Sequence, residues 1–186
     1  MAPREAATLR HVDPQRDAAA CAAIYAPYVD ARATSFEEIA PDATRLRSRI
    51  ATITRTHPWL VLEDAGRVTG YAYASSHRSR PAYRWAAEVG IYIEPGYHRR
   101  GGGRLLYEAL LDLLRRQNLR IALAGITLPN DASVAFHRSL GFQEVGINRA
   151  IGYKQGAWHD VAWWQLALVA DDGPPAEPRA PQRLDG

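Results

Sequence analysis

The chain contains one cysteine, one methionine and, at position 154, one lysine in 186 residues. Cys21 has no second thiol to pair with, which excludes an internal disulfide and suits a reducing compartment. It also excludes a cysteine-rich metal centre, and no metal is expected. The first residues, Met1-Ala2-Pro3-Arg4-Glu5, have no apolar run behind their charges, so no signal peptide is expected. The longest largely apolar stretch, Ile121 to Leu128, is too short to span a bilayer. The expected location is therefore the cytoplasm, without a membrane partner. Lysine is scarce because arginine takes its place: Lys and Arg total 23 against 20 acidic residues, for a net charge of +3. No basic run is interleaved with stacking aromatics, so this basicity does not predict nucleic-acid binding.

What remains is ordinary globular composition, with 47% hydrophobic and 23% charged residues, and a length that supports one core. Asp13-Pro14 reads as a helix N-cap followed by proline, opening a helix to about Val29 that Pro27 should end or kink. A second helix is expected from Pro41-Asp42, with Leu46, Ile50 and Ile53 buried. Strands are expected at Thr8–Val12, Trp59–Glu63, Val68–Ala74, Ala86–Ile93, Arg120–Leu128 and Trp158–Leu168, with extended chain between Phe142 and Tyr153. From Gly103 to Arg116 the spacing predicts a helix with Leu105, Leu106, Ala109, Leu110, Leu113 and Leu114 on one face. A short helix should follow Asn130 and stop at Gly141. The prediction is one α/β domain over residues 7–169, between a disordered N-terminus (1–6) and a proline-rich disordered tail (170–186).

One stretch organises the chain: Glu88-Val89-Gly90-Ile91-Tyr92-Ile93, then Glu94 to Arg100, then Gly101-Gly102-Gly103-Arg104. A strand leads through a basic turn into a glycine-rich helix start. Such a turn offers unobstructed backbone N–H groups at the positive end of a helix dipole, which suits a phosphate or pyrophosphate. Period-two alternation puts Glu88, Gly90 and Tyr92 on one strand face. A carboxylate on a largely apolar strand beside such a loop is a functional candidate. Gly90, inside a strand, is expected to mark a β-bulge.

His98-Arg99-Arg100-Gly101-Gly102-Gly103 resembles the acetyl-CoA pyrophosphate loop of the GNAT superfamily of N-acetyltransferases. Leu128-Pro129-Asn130-Asp131-Ala132-Ser133, with His137 and Leu140-Gly141-Phe142, is similar to that superfamily's second cofactor motif. Gly152-Tyr153-Lys154-Gln155-Gly156-Ala157-Trp158-His159-Asp160-Val161, followed by Trp164-Gln165, resembles the phosphinothricin N-acetyltransferase branch. The ordered set is far more specific than the glycine loop alone. Two positions depart from the pattern: His98 stands where Gln or Arg is commoner, and Gly90 where a hydroxyl residue often stands.

The resemblance implies a mixed, mainly antiparallel sheet that splays between Ala86–Ile93 and Arg120–Leu128. It implies acetyl transfer from acetyl-CoA to the primary amine of an amino acid or analogue such as phosphinothricin, methionine sulfoximine or methionine sulfone, in a homodimer. Alternatives are another amine, a protein N-terminus, or a non-catalytic acetyl-CoA-binding domain. Glu88 is the expected general base, with His137 or Tyr107 as the acid for the leaving thiolate. Ile91, Tyr92, Ile93, His98, Arg99, Arg100, Gly101, Gly102, Gly103, Arg104, Asn130 and Ser133 are the expected cofactor contacts. Phe36, Arg80, Tyr83 and Tyr92 are expected around the acceptor. Cys21 lies away from every motif, so direct attack in a ternary complex is expected rather than an acetyl-cysteine. His159-Asp160 resembles part of a triad, but no G-x-S-x-G elbow accompanies it.

Overall fold

The computed structural model describes residues 7–170, 173–181, 183 and 184. The first six residues, and the expectation of disorder for them, lie outside the described residues, as do 171, 172, 182, 185 and 186. Among the described residues seven strands form one sheet in the order β1-β2-β3-β4-β5-β7-β6. They are β1 (Thr8–His11), β2 (Trp59–Asp64), β3 (Arg67–Ser76), β4 (Ala86–Ile93), β5 (Ile121–Thr127), β6 (Gln143–Lys154) and β7 (Ala157–Ala167). Four α-helices accompany them among the described residues: α1 (Pro14–Asp30), α2 (Ala43–Ile53), α3 (Gly102–Arg116) and α4 (Asp131–Ser139).

The sheet is covered on both faces, and β2 records this in its sequence. Trp59 and Val61 point into the core under α1 and α2, whereas Leu60 and Leu62 point into the core under α3. A strand buried on both sides reads as an unbroken apolar run. Asp13 caps α1 as expected, its carboxylate accepting from the backbone N–H of Gln15 at 2.8 Å. Pro27 does not end α1, which continues to Asp30. On α3 the buried stripe is Leu106, Tyr107, Leu110, Leu111, Leu113 and Leu114, while Leu105 is exposed. At 100° per residue Leu105 falls almost opposite the centre of that stripe, and Tyr107 takes the place expected of it.

All neighbouring strands pair antiparallel except β4 and β5. That parallel pairing covers only Ala86↔Ile121, Ala87↔Ala122 and Glu88↔Leu123. Beyond it β4 stays with β3 as far as Ile93, and β5 stays with β7 as far as Thr127. The two central strands part at Glu88, leaving one backbone edge of residues 89–93 without a strand partner. The expected bulge at Gly90 is absent: the β3–β4 register runs unbroken, with Gly90 opposite Tyr73. Gly90 makes room instead, since a Cβ there would stand 3.0 Å from the Tyr73 ring.

Lys154, at the end of β6, is buried. Its ammonium donates to the carbonyl oxygens of Val29 (2.6 Å), Arg32 (3.2 Å), Ser35 (2.7 Å) and Glu37 (2.7 Å). Three N–H bonds serve four acceptors, so at least one is shared. This cluster ties the segment between α1 and α2 to the β6–β7 hairpin. Phe36, in that segment, lies where a Cβ on Gly152 would otherwise stand.

The proline-rich tail also differs from expectation. Glu177 forms a two-pronged ion pair with Arg84 at 2.8 and 2.7 Å, and the Trp85 indole N–H donates to Ala176 O at 2.9 Å. The Arg179 N–H donates to Gln117 O, Gln117 Nε2 donates back to Arg179 O, and Leu184 packs against the α3 core. Disorder does not describe residues 173–181, 183 and 184. Their hydrogen-bond partners include groups at positions 11, 84, 85, 116, 117 and 118, which tail composition cannot reveal.

Lys154→Met keeps the stem but removes every donor from the carbonyl cluster. The expected result is a loss of roughly 2–4 kcal/mol of unfolding free energy in urea titration. Unchanged stability would show that water satisfies those carbonyls equally well.

Candidate active site

Where β4 and β5 part, the sheet opens into a cleft of about 430 Å³. Glu88, Gly90, Ile91 and Tyr92 line it from β4, and Ala124 to Thr127 line it from β5. Tyr107, His137 and Asn130 close one side, and Phe36 and Thr34 close another. A groove continues from Ile91 along Ile93, His98, Arg99, Gly101, Gly103, Arg104 and Ser133. Eight expected cofactor residues thus share one groove, and Ile91 belongs to both groove and cleft.

The groove has the donors an elongated, pyrophosphate-bearing ligand needs. Gly101 sits at φ 84°, a left-handed conformation that glycine adopts without strain, and opens α3 with no side-chain cap. The first N–H groups of α3 therefore face outward at the positive end of its dipole. The unpaired edge of β4 offers further backbone groups to amides of an extended chain. These features fit the phosphates and pantetheine arm of acetyl-CoA.

Individual loop side chains are arranged less uniformly. His98 turns its Nε2 towards Ile93 O and the Tyr28 hydroxyl, each at 2.9 Å, pinning the turn to β4 and α1. Arg100 lies over the Tyr97 ring at 4.6 Å. Arg104 pairs with Glu108 at 3.0 Å and donates to Ser139 Oγ at 2.9 Å. Gly102 faces inward, where a Cβ would collide with Leu62. Asn130 caps α4 by accepting from the Ser133 N–H at 3.2 Å, and it lines the cleft rather than the groove.

Tyr107 and His137 form one buried unit, with Tyr107 Oη 2.9 Å from His137 Nε2. His137 Nδ1 lies 2.8 Å from Ser133 O, a carbonyl that can only accept. That partner fixes the proton on Nδ1 and leaves Nε2 to accept from the phenol. Burial holds His137 below the usual histidine range, against the raising effect of its bond to Ser133, and burial pushes the Tyr107 phenol up. The neutral imidazole therefore accepts from the phenol and orients it.

Glu88 is half-buried and aimed into the cleft, with Oε1 2.8 Å from Nδ1 of His77. His77 belongs to no motif in the sequence; the one signal for it is a carboxylate on β4 that requires a partner. Tyr92 packs edge-on against Tyr25 and Tyr28 and also lines the cleft. Arg80 and Tyr83 are not in the cleft. They line a separate cavity of about 830 Å³ between the 76–86 segment and the tail.

Cys21 is fully buried under α2 and β2, and burial pushes its thiol up to about 12. It is neither near the cleft nor ionised at neutral pH. His159 donates its Nε2–H to Lys154 O at 3.0 Å, since a carbonyl oxygen only accepts, and Asp160 accepts from Arg149 and from the Ala150 N–H. Both hold the β6–β7 hairpin. Among the described residues no group of three or more His, Cys, Asp or Glu is placed to hold a metal.

Comparison with known proteins agrees with this geometry. The acetyltransferase (GNAT) domain family matches residues 10–163. A phosphinothricin N-acetyltransferase from Streptomyces viridochromogenes is 38% identical over 170 residues, covering 88% of this chain and 87% of that protein. An L-methionine sulfoximine/L-methionine sulfone acetyltransferase from Salmonella typhimurium is 38% identical over 120 residues, covering 64% of this chain and 70% of that protein. The crystal structure of a phosphinothricin acetyltransferase from Sinorhizobium meliloti in complex with acetyl-CoA superposes with a TM-score of 0.87. That match has 35% identity and covers 92% of this chain and 94% of that one. The splayed β4–β5 pair, the uncapped glycine start of α3 and these matches together establish that the chain belongs to the GNAT acetyltransferase family.

Proposed function

We propose that this protein transfers the acetyl group of acetyl-CoA to the primary amine of a small amino acid or analogue, of the phosphinothricin, methionine sulfoximine or methionine sulfone type. The observation that carries the reading is the position of Glu88. Its side chain lines the cleft at the strand separation, on the same strand as Ile91, which borders both cleft and groove. The substrates named for the relatives supply the acceptor class.

An alkyl ammonium carries no free lone pair, so aminolysis begins with proton removal by Glu88. The amine nitrogen then attacks the thioester carbon, and the tetrahedral intermediate collapses to CoA thiolate and an amide whose nitrogen still carries an extra proton. Tyr107 turns its phenol from His137 to the sulfur and protonates it; the extra nitrogen proton restores the phenol, and Glu88 releases its own proton to solvent. The buried, protonated Cys21 favours direct attack over a covalent acetyl-enzyme. Phe36 and Tyr92 border the aliphatic part of the acceptor. Because Arg80 and Tyr83 lie in the neighbouring cavity, they contribute through the 76–86 segment unless acceptor binding redirects them.

The reading extends to a cytoplasmic homodimer. Val145, Ile151, Tyr153 and Trp158 are exposed on the β6–β7 hairpin at one end of the sheet, and a second copy would cover such an apolar edge. Light scattering should give twice the chain mass of 20.6 kDa. A monomer at micromolar concentration would contradict this assignment.

Thiol release from acetyl-CoA, measured across a panel of amino acids, their sulfoximines and phosphinothricin, tests the activity. Turnover is expected with members of this class. Glu88→Gln should lower kcat by roughly 100-fold or more with little change in acetyl-CoA affinity, and Tyr107→Phe should lower kcat less. Acetyl-CoA binding without turnover of any amine would leave only the non-catalytic alternative. Turnover confined to peptide N-termini would move the acceptor to protein.

A further inference from the structure

We propose that His77 is a positioning residue that fixes the carboxylate of Glu88 for proton removal, an inference that rests on Glu88 being the base. His77 lies just past the end of β3, where β3 pairs back onto β4 through Ser75↔Glu88 and Ser76↔Ala87. This brings its Nδ1 to 2.8 Å from Glu88 Oε1. Because a carboxylate oxygen accepts, the Nδ1–H donates. One oxygen of Glu88 is thereby occupied, and the other is left for the amine.

The ring of His77 is held in place on two sides. Tyr83 meets it edge-on, with ring centroids 5.7 Å apart and planes at 77°. Trp163 of β7 meets it similarly at 6.0 Å and 74°. The His77 side chain is 15% exposed, against 39% for Glu88. An ordinary surface ion pair gains little because both side chains must be immobilised to make it. Here packing from two other elements has already immobilised one partner, so the donor is preorganised.

This arrangement also places the 76–86 segment in the chemistry without placing it in the cleft. Glu88 lines the cleft, whereas His77 lines the arginine-rich cavity that holds Arg80 and Tyr83. Tyr83 touches the partner of the base rather than the acceptor. Displacement of Tyr83 would therefore loosen the Glu88 carboxylate through His77.

The test is steady-state kinetics on His77→Ala, His77→Asn and His77→Gln, alone and in the Glu88→Gln background, with acetyl-CoA affinity measured separately. Asn can place its amide N–H close to the position of imidazole Nδ1; Gln extends past it. His77→Ala is expected to lower kcat by roughly tenfold or more with acetyl-CoA affinity within about twofold. His77→Asn should recover most of that loss and His77→Gln little of it. In the Glu88→Gln background, His77→Ala should cost nothing further, because the two act as a unit. Equal loss in the Asn and Ala variants, or a multiplicative loss in the double variant, would overturn the proposal. So would a His77→Ala effect confined to acetyl-CoA affinity or folding. Full activity of Glu88→Gln would remove the base itself and is a separate failure. Loss in Glu88→Gln with full activity in His77→Ala would leave the base standing and remove His77 alone.

Discussion

The separation of β4 from β5 after Glu88↔Leu123 is the constraint on which the rest depends. Backbone N–H and C=O groups inside a sheet are normally consumed by the neighbouring strand. Here each central strand keeps its outer partner and loses its inner one. The result is a slot with an unpaired strand edge, opened without breaking either half of the sheet. The turn after β4 leads directly into α3, so the glycine start of that helix lies at the end of the same edge. Strand edge and helix dipole are aligned by chain connectivity alone, an arrangement that suits the two ends of an extended phosphate-bearing ligand.

The acceptor side is held by different physics. The segment between α1 and α2 contains neither helix nor strand and would be mobile if left to itself. Lys154 prevents this by donating to three of its carbonyl oxygens, those of Arg32, Ser35 and Glu37, and to Val29 O in the last turn of α1. Burying an ammonium is unfavourable unless its donors are satisfied, and here that requirement binds the β6–β7 hairpin to the wall that carries Phe36. In a chain that otherwise uses arginine, a compact ammonium suits a pocket of converging carbonyls better than a planar guanidinium does.

Much of this was legible in the sequence because it depends on local chemistry. Asp13, Asp42 and Asn130 act as the N-caps their residue types suggest, and β4 spans the expected Ala86–Ile93. The glycine start of α3 was readable, and Glu88, Tyr107 and His137, each singled out as a candidate, line one cleft. Long-range partners were not. Gly90 looked like a bulge because glycine in a strand often is one, yet the strand edge is freed by the departure of β5, a relation between segments more than thirty residues apart. The separate cavity of Arg80 and Tyr83, the hydrogen bond from His77 to Glu88, and the docking of the tail on Arg84 and Gln117 have the same origin. Composition and periodicity describe what a segment favours, and these features depend on what it meets.

The central claim is that the unpaired edge of β4 receives the cofactor, and amide hydrogen exchange with and without acetyl-CoA tests it most directly. Bound acetyl-CoA should slow exchange at backbone amides within residues 91–93 and at the start of α3. Protection at α3 with no change along β4 would contradict the account.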